Sequence, residues 1–173
     1  MGQIIKVNFE HPANLGVLHY LEEVQGEANS LKLPPSISPD DVEDPYINLS
    51  THTDVVSRLW NEITKDLPER CAWVVYGRPV LVQPKSGVIL GMGSGTPTYA
   101  LRLPEPARSE AVREGAKTIW TYNDAWRKEL GPEHNTVLDL ANLGQDWVFG
   151  NWLSNESRWC LAAYHSAALD FPQ

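Results

Sequence analysis

The chain has 173 residues, of which 42% are hydrophobic and 21% charged, a composition typical of a folded globular protein. Its formal net charge is −8 and its 14 Lys and Arg residues are scattered, which argues against binding to nucleic acid or to anionic membranes. We expect a single domain over residues 1–173 in the cytoplasm, because the sequence lacks a secretory signal, a transmembrane run and paired cysteine spacing.

The N-terminal region predicts a strand, a helix and then an irregular segment. Residues 3–9 alternate apolar and polar side chains, as a half-buried strand does. Pro12 suits the first turn of a helix, apolar residues follow at helical spacing, and Gly26 supplies a stop. Residues 29–50 hold four prolines and a cluster of acids without EF-hand spacing, which predicts a solvated, Pro-rich acidic excursion that is either mobile or packed across the domain.

A second helix is predicted between Thr53 and Pro68. Thr53 can cap its first turn, and Pro68 closes it. Apolar residues recur at helical spacing between them, which indicates one buried face. The predicted stripe consists of Val56, Leu59, Trp60, Ile63 and Leu67.

The stretch from Cys71 to Leu103 predicts an antiparallel meander. Four β-prone runs, at residues 72–76, 79–83, 88–92 and 97–103, are separated by turn-forming residues. Turns this short join neighbouring antiparallel strands. The run from Pro84 to Gly87 has the composition of a type I turn that ends in glycine.

Beyond the meander, the helical pattern is interrupted at Gly115. A helix is predicted over residues 104–114, and one long helix over 106–130 would fit the apolar spacing as well. We favour a break at Gly115, because a central glycine and the β-branched residues that follow weaken a continuous helix.

Residues 133–152 give no clear pattern, whereas residues 154–169 predict a closing helix with one apolar face. Strands that are grouped together, with helices before and after them, are typical of an α+β fold. We therefore predict an antiparallel sheet of four or more strands, built on the meander at 71–103, with helices packed mainly on one face.

Glycines at alternate positions near the third strand run suggest a candidate binding surface. Because strand side chains alternate between faces, such a track leaves one face bare, and a tryptophan, a ligand or a partner must cover it. A glycine-rich bulge crossed by a tryptophan is the structural alternative. A phosphate loop is excluded, because no lysine precedes the serine or threonine and no helix follows. The predicted ligand-binding residues are Gly91, Gly93, Ser94, Gly95, Thr96, Tyr99, Trp147 and Trp152.

The sequence contains no strong catalytic signature. Cys160 and His165 lie five residues apart, about 140° around a helix, so they cannot form a dyad there. We expect Cys71 and Cys160 to be buried, inert thiols.

Dispersed acids and histidines leave open the hypothesis that the protein is a hydrolase. Asp139, Asp146 and Glu156 lie near tryptophans, as in sugar-processing sites, although no spacing supports a carboxylate pair. The histidines also lack the local spacing of a metal site, so we expect no metal and no cofactor. Those considered are His11, His19, His52 and His134.

Three hypotheses for the function follow. The first is a non-catalytic protein-interaction domain, of an accessory or immunity type, whose acidic surface binds a basic protein partner. The second is a small-molecule-binding module with a Trp-lined cleft over the glycine track, and the third is a hydrolase with dispersed Asp, Glu and His residues. The charge and the size favour the first. An open cleft over the glycines would favour the others, whereas a covered one would favour the interaction domain.

Overall fold

The computed structural model describes residues 6–25, 34–44, 53–94, 98–118, 146–150 and 155–169. Within these ranges seven strands form one antiparallel sheet in the order β1-β2-β3-β4-β5-β7-β6. Their bounds are β1 Ser36–Ile37, β2 Ala72–Val75, β3 Arg78–Val82, β4 Ile89–Ser94, β5 Thr98–Arg102, β6 Lys117–Thr118 and β7 Trp147–Gly150. The predicted α+β fold with a central antiparallel meander, β2 to β5, is confirmed.

Four α-helices accompany the sheet in the described ranges. They are α1 Pro12–Gln25, α2 Thr53–Ser57, α3 Ala107–Arg113 and α4 Glu156–Ala168. A π-helical turn, Arg58–Glu62, continues α2, and a 3₁₀ turn, Pro39–Asp41, follows β1. Among these helices none is both long and apolar enough to cross a membrane.

Each face of the sheet carries its own buried cluster, because the strands present alternate side chains to opposite faces. One face, which we call the three-helix face, packs against α2 with its π-helical turn, α3 and α4. The opposite face, the α1 face, packs against α1. The prediction that helices lie mainly on one face is thus confirmed, and α1 covers the other. The helical side chains buried on the three-helix face include Val55, Val56, Leu59, Ile63, Trp159, Cys160, Ala163 and Ala167.

Two turns fix the register of the meander. Tyr76 and Gly77 both have positive φ, +48° and +73°, and link β2 to β3 in the two-residue geometry that matches strand twist. The predicted turn after Pro84 is also present, and Gly87 has φ +74°. Side-chain oxygen Oε1 of Gln83 accepts the backbone N–H groups of Lys85 and Ser86 at 2.6 and 3.0 Å, which replaces ladder bonds inside that turn.

The N-terminal strand prediction is wrong for residues 6–9, which form no ladder; residues 1–5 lie outside the described ranges. Instead, the Asn8 backbone N–H donates to Gly87 O at 3.0 Å, and Val7 is buried with the α1 cluster. Of the excursion predicted at 29–50, the structure describes residues 34–44, which hold β1, and β1 pairs along the edge of β2.

The predicted break at Gly115 is present. Helix α3 ends at Arg113, and Gly115 has φ +114°, a conformation that L side chains rarely adopt. Strand β6 follows two residues later, while residues 119–145 lie outside the described ranges. Helix α4 matches the closing helix predicted at 154–169.

Candidate functional site

The glycine track begins on the three-helix face. Gly91 pairs with Leu81 on one side and Leu101 on the other, and all three therefore share a face. An added Cβ at Gly91 would lie 3.0 Å from Leu101 Cδ2 and 3.2 Å from Leu81 Cδ1. The space that the missing side chain leaves is filled by the chain's own leucines. Gly93 pairs with the buried Tyr99 on the same face.

The predicted ligand-binding residues do not all come together. Trp147 is 1% exposed and belongs to the cluster on the α1 face, so the sheet separates it from Gly91. Ser94 ends β4, and its side chain is not among those described. Gly95, Thr96 and Trp152 lie outside the described residues. Ligand binding by this set stays a prediction.

Both cysteines are free and buried in the cluster of the three-helix face. Burial, together with the nearby Glu69 charge, raises the pKa of the Cys71 thiol to about 12. Burial, and then the proximity of Cys71, also raises the pKa of the Cys160 thiol. At neutral pH neither side chain supplies the thiolate that nucleophilic chemistry requires.

The described carboxylates of the hydrolase hypothesis are bound to arginines. Asp146 Oδ2 accepts from Arg102 Nε at 2.7 Å, and Glu156 Oε1 accepts from Arg58 Nε at 3.0 Å and from its Nη2. The first pair joins β5 to the residue before β7, and the second joins the π-helical turn to α4. Both pairs therefore have a structural role. Asp139 lies outside the described residues.

The described histidines are not assembled into a site. His11 Nδ1 accepts the Ala13 backbone N–H at 3.0 Å, so this ring caps the first turn of α1. His19 and His165 are exposed on different helices, and His52 and His134 lie outside the described residues. No three His, Cys, Asp or Glu side chains within the described ranges are grouped to hold a metal ion.

A surface cavity of about 540 Å³ lies between the π-helical turn, the 3₁₀ turn and the start of β2. Its volume falls in the range of ligand-sized pockets. The lining residues are Pro39, Asp40, Trp60, Asn61, Thr64, Leu67, Glu69, Arg70, Cys71 and Ala72, a set that we call the β2-edge cavity. It combines an aromatic and aliphatic wall with two acids and one base.

The aromatic wall is held rigidly. Trp60 is 7% exposed, and its indole Nε1–H donates to Val80 O in β3 at 3.0 Å. The Thr64 hydroxyl donates to Trp60 O at 2.7 Å, which fixes the turn that follows. The tryptophan therefore keeps one orientation relative to the sheet.

Glu69 supplies the inner acid of the β2-edge cavity. Its Oε2 accepts the hydroxyl of Tyr164, a residue of α4 that is buried in the same core. Burial, and then the bond to Glu69 and its charge, raises the pKa of Tyr164 to about 12. The phenol therefore stays protonated at neutral pH and donates to a charged carboxylate.

The outer rim of the cavity carries an ion pair. Arg70 donates from Nη1 to Asp40 Oδ2 at 2.9 Å and from Nη2 to Asp40 Oδ1 at 3.0 Å. This bidentate bond and the Arg70 charge lower the pKa of the Asp40 carboxyl. Asp40 also begins an acidic run on the surface, whose exposed members are Asp40, Asp41, Glu43 and Asp44.

The π-helical turn separates the β2-edge cavity from a second one of about 470 Å³. Ile63 N–H donates to Arg58 O at 3.0 Å, the i to i−5 bond that defines this geometry. Asn61 lines both cavities, while Arg58, Lys65 and Asn155 line the second. π-helical turns are rare overall, but many of those that occur lie at functional sites. This turn therefore indicates that the region around the two cavities is a candidate functional site.

Sequence reasoning missed the β2-edge cavity for a physical reason. Its walls come from residues 39–40, 60–67 and 69–72, which the pairing of β1 with β2 and the packing of the π-helical turn against the sheet bring together. The available signals were the acids beside Pro39 and the adjacent buried pair Leu59 and Trp60 in the predicted stripe.

Comparison with known protein families, curated proteins and solved structures finds no match for this chain. Its function is therefore inferred from the geometry of the described residues.

Proposed function

We propose that this protein is a non-catalytic, cytoplasmic interaction domain that binds a basic protein through the acidic surface beside the β2-edge cavity. The observation that carries the proposal is the exposed acidic run Asp40–Asp44, whose first residue, Asp40, lines a cavity that Trp60 also lines. Aromatic anchors within a polar rim are the usual composition of a protein-binding hot spot.

Charge supports the choice of a basic partner. The chain has a formal net charge of −8, and the acidic run concentrates four carboxylates within five residues. Clustered charge of one sign steers an oppositely charged protein during encounter and fixes its orientation. Asp40 pairs with Arg70, and the exposed carboxylates of Asp41 and Asp44 follow it along the surface.

The two alternatives receive less support from the described geometry. Gly91 is covered by Leu81 and Leu101, which counts against a cleft at that point of the track. Asp146 and Glu156 each hold an arginine, which counts against their use as a general acid or base.

The proposal predicts that neutralising the acidic run weakens partner binding more than neutralising acids elsewhere. The partner is first isolated with the tagged full chain at low salt, identified, and purified for measurement of Kd. The double variant D41N/D44N is expected to raise Kd about tenfold at low salt, because two charge pairs at roughly 0.5–1 kcal/mol each are lost. The effect shrinks at high salt, where surface charges are screened.

The matched control is E10Q/E114Q, which removes the same charge from exposed positions before α1 and after α3. It is expected to change Kd less than about threefold, since unspecific attraction depends only on total charge. Equal losses in both double variants, or a complex that is unchanged by salt, would contradict a localised acidic interface. Turnover of a substrate by the purified chain would contradict the non-catalytic assignment.

A further inference from the structure

An exposed ion pair occupies the first carboxylate of the acidic run. Asp40 accepts from Nη1 and Nη2 of Arg70 at 2.9 and 3.0 Å, and the two side chains are 59% and 41% exposed. We propose that Arg70 is an autoinhibitory group, whose guanidinium occupies the position on Asp40 that an arginine of the basic partner takes in the complex. This inference rests on the proposed function and names the contact that limits binding there.

Strand pairing brings the two residues together, although thirty positions separate them in sequence. Strand β1 pairs with β2 in antiparallel register, with Ile37 opposite Val74. The 3₁₀ turn that follows β1 therefore lies beside the residues that precede β2. Asp40 belongs to that turn, and Arg70 lies two residues before β2. The fold itself thus places a cation against the start of the acidic run.

The pair has the geometry of arginine recognition between proteins. A guanidinium binds both oxygens of a carboxylate through two parallel N–H groups, a contact that a lysine ammonium cannot make. Asp40 already makes this contact within the chain, from Nη1 to Oδ2 and from Nη2 to Oδ1. An incoming arginine must therefore displace Arg70 to bind Asp40. The charge of Arg70 also opposes the approach of a cation, as a repulsive element in an interface does.

The exposure of this pair makes it exchangeable. Glu156 and Asp146, which also bind arginines, are only 3% and 29% exposed, and their pairs join elements of the fold. An exposed ion pair contributes little to stability, because water screens it and two flexible side chains must be held in place. Replacing Arg70 by the arginine of a partner therefore costs the folded chain little.

The test uses the full chain at low salt and a defined probe, the peptide acetyl-hexa-arginine amide. Binding is followed by the backbone amide resonances of Asp40 and Asp41 in ¹H–¹⁵N spectra. R70Q is expected to lower the Kd for the probe at least about fivefold, because it unmasks Asp40 and removes a repelling charge.

The matched control is R158Q. It removes the same charge from an exposed arginine of α4, which pairs with Glu110 of α3. Since it alters only the general attraction between the chain and a cation, R158Q is expected to change the Kd at Asp40 and Asp41 less than about twofold.

A double-mutant cycle separates masking from general attraction. D40N is introduced into the unmodified chain and into R70Q. Because Arg70 masks Asp40, D40N is expected to weaken probe binding at least about threefold more in R70Q than in the unmodified chain. General attraction alone would give the same loss in both backgrounds.

The pH titration of the Asp40 carboxyl carbon reports the ion pair without any ligand. The hydrogen bonds from Arg70, and then its charge, lower the pKa of this carboxyl. Its titration midpoint is therefore expected to lie at higher pH in R70Q than in the unmodified chain, and to be unchanged in R158Q.

Equal probe affinity in R70Q and R158Q, an additive cycle, no probe-induced shift of the Asp40 and Asp41 amides, or an unchanged Asp40 titration in R70Q would each overturn the inference. These failures are distinct from failure of the proposed function. A purified partner that D41N/D44N weakens but R70Q does not strengthen leaves the interaction surface standing and removes the autoinhibitory contact. A non-additive cycle with the probe supports the contact independently of any partner.

Discussion

At the scale of single residues, Trp60 and Trp159 are both buried but differ in what their indole N–H groups contact. Trp60 Nε1 donates to Val80 O, whereas Trp159 Nε1 has no hydrogen-bond partner among the described residues. A buried donor that is unpaired has lost its water without replacement, which costs about 1–3 kcal/mol. The same substitution therefore has different consequences at the two positions.

We predict that W159F destabilises the protein less than W60F does. Both variants lose the same volume, but W159F removes a donor that is already unpaired, while W60F leaves the Val80 carbonyl without its indole donor. The free energy of unfolding, measured in urea, is expected to fall by about 1–2 kcal/mol more in W60F. Equal losses would show that the Trp159 indole has a partner in the folded protein.

At the scale of elements, Asn14 joins α1 to the turn between β3 and β4. It is fully buried, and its Nδ2 donates to Asn8 O at 2.7 Å and to Gly87 O at 2.9 Å. Its Oδ1 accepts the Ile89 N–H at 2.8 Å. Gly87 is required there, because a Cβ would lie 2.7 Å from Lys6 O and its φ is +74°. One side chain thus satisfies backbone groups of a helix entry, a turn and a strand.

We predict that N14A lowers the free energy of unfolding by about 3 kcal/mol, since it leaves the Ile89 N–H without its amide acceptor and removes two further hydrogen bonds, to Asn8 O and Gly87 O. L15A is the matched control in the next position of α1, where the side chain is 55% exposed, and is expected to cost less than about 1 kcal/mol. Denaturant unfolding followed by circular dichroism measures both. A cost for N14A no greater than for L15A would show that water replaces the amide.

The elements differ in how far the sequence determines them. The meander was predictable because Pro84 to Gly87 forces a turn and because β-branched runs flank it, both of which act over a few residues. The glycine stop after α3 was predictable for the same reason. The π-helical turn was not, because its extra residue depends on how Leu59 and Trp60 fit against the sheet. Strand β1 was also missed, since two residues beside a proline carry almost no pattern.

The candidate site was the least predictable feature. Sequence alternation correctly indicated a bare face at Gly91, but it could not show that Leu81 and Leu101 lean over it from neighbouring strands. From the sequence, Trp147 was expected to lie beside the glycines as part of one ligand-binding surface. The register of β7 instead places it on the α1 face. The face of the sheet on which a side chain lies depends on strand pairings between residues that are distant in sequence.

At the scale of the whole molecule, the sheet lies between two hydrophobic cores, one on each of its faces. Cys71, just before β2, and Cys160, in α4, come from distant parts of the chain and meet in the core of the three-helix face. Both thiols are therefore protected only while the sheet and α4 stay packed together.

We predict that the two thiols react with a disulfide reagent at about pH 8 only on unfolding, and at the same rate as each other. Burial raises the pKa of both groups, to about 12 for Cys71, so the folded chain presents almost no thiolate. Mass spectrometry of a modification time course distinguishes the sites. Faster reaction at Cys160 would show that α4 detaches while the sheet persists.

The order in which the sheet is covered has a consequence for synthesis on the ribosome. Helix α1 precedes the meander and can cover its face as soon as those strands pair, but α4 follows β7 and closes the opposite face afterwards. Until α4 emerges, α2 with its π-helical turn and α3 cover only part of that face, and the area of β4 and β5 that packs against α4 stays exposed in nascent chains. A nascent chain stalled before α4 would therefore be a natural client for chaperones that recognise exposed leucines.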